Sequence, residues 1–85
     1  DIPNVSKRKR FFASNAGIEY HKRFMGTDEA PKVDFNLLEP EHMDDGLLLG
    51  FQTRARMSGF EAYIVPQPPD LPMANRREDM LFVKP

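Results

Sequence analysis

The stretch from Leu47 to Val65 constrains this chain most, because apolar and polar residues alternate on either side of Ser58-Gly59. Read as a β-hairpin closed by a two-residue turn, it pairs Met57 with Phe60, Ala55 with Ala62 and Thr53 with Ile64 on a mostly apolar face. The other face pairs Arg56 with Glu61, Arg54 with Tyr63 and Gln52 with Val65, an ion pair beside an Arg–aromatic pair. A slip by one residue would set Phe60, Ala62 and Ile64 beside Arg56, Arg54 and Gln52, so the pattern favours this register. A helix over 47–57 competes, since Leu47, Leu48, Phe51 and Ala55 share a helical face. Gly46, Gly50 and the alternation beyond Phe51 weigh for strand.

Around this hairpin, Ser14 to Met25 reads as a helix. Ala16, Tyr20 and Phe24 recur every four residues, Ser14 can cap the start, and Gly26 stands where a C-terminal glycine belongs. Gly17 lowers its intrinsic stability. Val33, Phe35 and Leu37 alternate with polar residues as in a half-buried strand that Pro40 ends. Pro66 to Pro72 reads as extended polyproline II, and Met80 to Val83 as a last strand. Eight prolines and five glycines disfavour long helices. The expected fold is a small single α+β or mainly-β domain. It has about three or four short antiparallel strands around the central hairpin, one helix, and long irregular segments. Residues 1–10 are expected to form a flexible basic N-terminal arm, and 11–85 the domain, with a proline-rich connector at 66–72.

Several function classes lose their chemistry at the level of composition. Without cysteine there is no disulfide framework, thiolate zinc site or Cys nucleophile. No apolar run approaches the ~20 residues of a membrane-spanning helix. Nucleophile-elbow, Walker and dinucleotide-binding motifs are missing. The cluster Glu39-Pro40-Glu41-His42-Met43-Asp44-Asp45 offers hard oxygen ligands, but it lacks EF-hand spacing and a second imidazole in register, so it reads as a solvated acidic loop. No catalytic residue, metal or cofactor is assigned, and the chain reads as non-enzymatic. It starts at Asp1 rather than Met, as a processed product or fragment would, and lacks a signal-like apolar core, so an intracellular (cytoplasmic) or virion setting is expected.

Two interaction readings remain. Five methionines and seven phenylalanines are a large apolar inventory for short elements, so the leading expectation is a protein-interaction module or small structural subunit. It would dock in a larger assembly, as a viral or phage structural part or an accessory subunit of a multiprotein complex, through self-association or a protein partner, with Pro66, Pro68, Pro69, Leu71 and Met73 as the candidate interface. The alternative is a small nucleic-acid-binding accessory protein. Its charges would be Lys7, Arg8, Lys9, Arg10, Arg54 and Arg56, with Tyr63 as a stacking ring. The net charge of −1 gives no broad basic footprint.

Overall fold

Leu47 to Val65 is a helix followed by a strand, not a hairpin. In the computed structural model, which describes residues 1–39 and 41–85, the elements are β1 (Ile2–Pro3), α1 (Val5–Ala13), α2 (Asn15–Met25), α3 (Asp45–Met57), β2 (Glu61–Pro66) and β3 (Arg77–Val83). About 39% of the chain is helical and 18% is in one three-stranded antiparallel sheet, so the strand-rich, one-helix expectation is corrected.

The physical reason lies in the caps of α3. Asp44 Oδ1 accepts the Leu47 N–H at 3.0 Å, and Asp45 places negative charge in the first turn. At the other end, the Phe60 N–H donates to the Ala55 carbonyl at 3.1 Å and the Gly59 N–H to the Arg56 carbonyl at 3.0 Å. That is a Schellman closure around Gly59, whose φ of 99° suits glycine alone. Ser58-Gly59 therefore is a turn, but one that stops a helix. Leu48, Gln52 and Ala55 form the less exposed stripe of α3, spaced by four and three residues.

β2 pairs with β3 from Glu61↔Val83 to Pro66↔Glu78, and β1 pairs with β3 at Ile2↔Glu78 and Pro3↔Arg77. The strand order is β1-β3-β2, and α3 packs against β2. Met80 to Val83 is a strand as expected, here the end of a longer one in the middle of the sheet. The Pro66 to Pro72 expectation fails differently. Pro66 ends β2, and the segment from Pro68 to Arg76 is a chain of turns closed by Leu71 N–H to the Pro68 carbonyl, Ala74 N–H to that of Leu71 and Arg76 N–H to that of Met73.

The expected strand at Val33 to Leu37 is also absent. Asp34 Oδ1 accepts the Asn36 N–H at 2.9 Å, an Asx turn that competes with any ladder. Pro40, expected to end that strand, lies outside the described residues.

Helix α2 matches the expectation. Ser14 Oγ accepts the Gly17 N–H at 3.2 Å, and Gly26 closes the helix with φ 63°. Helix α1 is the larger surprise, since it takes in Lys7, Arg8, Lys9 and Arg10. Asn4 starts it, its side-chain oxygen accepting from Ser6 N–H at 3.0 Å and Lys7 N–H at 3.4 Å. Leu48 and Ala62 are fully enclosed, and so is Asn4.

Candidate interaction surface

Asn4 is the junction on which the surface is built. Its amide nitrogen donates to Asp45 Oδ1 at 2.9 Å and Glu78 Oε2 at 3.3 Å, while its own backbone N–H donates to the Arg76 carbonyl at 2.8 Å. One side chain thus ties the start of α1 to the start of α3 and to β3. The backbone N–H groups of Ser6 and Lys7 can only donate, so the amide oxygen must face them and the NH2 must face the two carboxylates. Sequence reasoning passed over Asn4. The available signal was an Asn directly before Val5-Ser6 and four basic helix formers.

The basic run is distributed around α1 rather than presented as one track, because successive residues on a helix point about 100° apart. Lys7 Nζ donates to the Arg77 carbonyl at 3.0 Å. Lys9 Nζ donates to the Leu37 carbonyl at 2.8 Å and lies 3.1 Å from Glu39 Oε2. Arg10 forks onto Asp45, and the Arg8 guanidinium sits 5.3 Å from the Phe12 ring centroid. On α3, Arg56 and not Arg54 faces Tyr63, its guanidinium 5.7 Å from the ring centroid, while also donating to the Ala62 carbonyl. The expected Arg54–Tyr63 and Arg56–Glu61 cross-strand pairs do not form, since 52–57 is helical.

Most of the acidic cluster is likewise occupied. Asp44 caps α3, Asp45 holds Arg10 and Asn4, and Glu39 holds Lys9. The bond from Arg10 holds the Asp45 carboxyl below its usual range, with the Asn4 amide adding to the effect against partial desolvation. A lowered folded pKa stabilises the fold above the ordinary carboxylate value, and that stabilisation is lost as pH falls through the folded value. Asp45→Asn is therefore expected to lower the thermal midpoint at neutral pH and to flatten its decline below about pH 4. Thermal scans from neutral to strongly acidic pH check this. A variant with the parent's acid limb would show that the Arg10–Asp45 contact contributes nothing.

Three apolar areas remain open around this frame. The first is aromatic, at the α1–α2 corner. Phe11 and Phe12 meet edge-on at 5.1 Å between centroids, Phe11 meets Tyr20 at 5.8 Å, and Tyr20 stacks on Phe24 at 5.8 Å. Phe24 is 75% exposed, and Phe12 also lines an open groove of about 940 Å³ that mixes Val33 and Leu37 with the charged Arg8, Lys32, Asp34 and Glu39. The second is the sheet face carrying Tyr63, Leu81 and Val83, which the register places together and which are all exposed. The third runs from the end of β2 into the turn segment, where Pro66, Pro68, Pro69, Leu71 and Met73 are all exposed. The expected interface residues therefore sit together on one connection, whereas the expected nucleic-acid residues are divided between α1, α3 and β2. Neither set anticipates the aromatic corner. No protein-family profile, curated protein or solved structure matches this chain.

Proposed function

We propose that this chain is a non-enzymatic interaction module, a small structural subunit that docks in a larger protein assembly. One observation carries the reading. The accessible surface is 6450 Å² for a mass of 9.8 kDa, where a compact monomer of that mass would show about 5,200 Å². The radius of gyration of 15.1 Å compares with about 12 Å for a compact chain of this length. Large apolar side chains stand exposed on several elements: Phe24 and Met25 on α2, Phe35 and Leu38 in the following loop, Leu49 and Met57 on α3, and Leu71 and Met73 between the long strands. Where such side chains group, as Tyr63, Leu81 and Val83 do on one sheet face, exposed apolar area marks docking sites.

The nucleic-acid reading draws less support from the same geometry, because Lys7, Lys9 and Arg10 already serve contacts within the fold. The test uses the apolar dye anilinonaphthalene sulfonate on natively folded protein. The wild type is expected to bind dye while unfolding in one cooperative transition, and Phe24→Asp and Met73→Asp are each expected to dim the signal with the transition unmoved. A cooperatively folded protein that leaves the dye dark would overturn the reading. So would tight binding of a labelled single-stranded oligonucleotide that weakens steeply with salt and depends on Arg54, Arg56 and Tyr63.

A further inference from the structure

β3 is the middle strand, yet only one of its edges is paired along its length. β2 follows it from Glu78 to Val83, whereas β1 meets it only at Arg77 and Glu78. Asp1 reaches on to Asp79, its ammonium 2.7 Å from Asp79 Oδ1, and from Met80 onward the other edge of β3 faces no strand among the described residues.

Two observations fix which backbone groups lie along that open edge. The Ala62 carbonyl accepts from Gln52 Nε2 at 3.0 Å and from Arg56 Nε at 3.1 Å and Nη2 at 2.9 Å, so it points away from β3. Its cross-strand partner Phe82 must then point its own N–H and carbonyl away from β2. Independently, the Arg76 carbonyl accepts the Asn4 N–H beside β1. Both place the even-numbered residues of β3, Met80 and Phe82, with Lys84 next in phase, along the open side. The side chains there are accessible too: Leu81 is 51%, Phe82 52% and Val83 42% exposed. An uncharged apolar run with free backbone groups is a template for strand addition.

We infer that the occupant of this edge is a second copy of the chain, with β3 antiparallel to β3 about a two-fold axis at Phe82. This rests on the docking reading and names the partner at one of its surfaces. In this register Phe82 faces Phe82 of the second copy, Met80 faces Lys84, and Leu81 faces Val83, so every outward backbone group from Met80 to Lys84 finds a partner. It also sets Lys84 diagonal to Glu78 of the second copy, within reach of a long side chain, and the two-fold makes that opposite-charge pair twice. Pairing centred on Leu81 would need the edge at Glu78, which Ile2 already holds. Pairing centred on Val83 moves Lys84 away from Glu78.

The chain has no cysteine, so a single introduced thiol can bridge only between copies. Two residues in a hydrogen-bonded antiparallel pair have Cα atoms about 5.5 Å apart, within the span of a disulfide. Phe82→Cys treated with oxidised glutathione is expected to convert mostly to covalent dimer, while Met57→Cys, exposed on α3, is not. Sedimentation of the wild type is expected to show dimer at tens of micromolar, and Lys84→Glu to weaken association about tenfold. Phe82→Pro removes an outward N–H and no β2–β3 bond, so it should give a monomer with the parent's circular dichroism. A wild type that stays monomeric at high concentration, or Phe82→Cys cross-linking no faster than Met57→Cys, would overturn the inference. A monomer that still binds the apolar dye through Phe24 and Met73 sinks the dimer and leaves the docking reading standing.

Discussion

Gly17→Ala is expected to destabilise the protein by about 3 kcal/mol, although alanine favours a helix by about 1 kcal/mol over glycine. A Cβ at this position would lie 1.8 Å from the Phe11 carbonyl oxygen and 2.8 Å from the Phe12 Cα. Both are backbone atoms, so no rotamer change relieves the clash. The corner between α1 and α2 would have to open, carrying Phe11 and Phe12 away from Tyr20. A domain of this length has a total stability of roughly 4–13 kcal/mol, so the loss is a large share of it. Urea unfolding followed by circular dichroism gives the sign directly. An alanine variant more stable than the parent would mean that the two helices do not approach here.

The second large effect belongs to Asn4. Asn4→Ala removes the cap of α1 and the donor between Asp45 and Glu78, and is expected to cost about 2–3 kcal/mol. Asn4→Asp separates the two roles. Aspartate caps a helix as well as asparagine does, but the new carboxylate would stand where an NH2 now lies 2.9 Å from Asp45 Oδ1 and 3.3 Å from Glu78 Oε2. Like charges raise its folded pKa above the unfolded value, so the fold regains stability as pH falls through that raised value. The expected result is a variant much weaker than the parent at neutral pH that closes part of the gap on mild acidification. Thermal midpoints of both proteins across that range decide it, and a gap that widens in acid would place the amide group elsewhere.

The sequence made some of this legible through local chemistry. Ser14 and Gly26 bracket α2 because a hydroxyl cap and a left-handed glycine act within a few residues of themselves. Met80 to Val83 reads as strand for a similar reason, being short, apolar and stopped by Pro85. Helix α3 resembles a hairpin in sequence because Ser58-Gly59 serves equally as a hairpin turn and as a Schellman closure, and because Phe51 to Met57 alternates while Leu48, Gln52 and Ala55 also keep helical spacing. What chooses between them is the Asp44 cap and the docking of α3 on β2, and the second of these is tertiary. The basic run looked like a solvated arm because its partners, Arg77, Leu37 and Asp45, lie tens of residues away. Val33 to Leu37 kept a strand's alternation without any neighbouring strand to complete it.

The three donors that α3 directs onto the Ala62 carbonyl have a consequence for growth. A sheet with two open sides can add chains without limit, and fibres are the outcome. Here the outward Ala62 carbonyl of β2 is taken up by Gln52 and Arg56, and the strand ends in Pro66, which has no N–H to offer. These groups hinder strand addition along β2, so the pairing proposed through β3 is expected to close at two. If β3 pairs as proposed, Gln52→Ala with Arg56→Ala is expected to uncover the β2 edge and add larger species to the dimer in sedimentation.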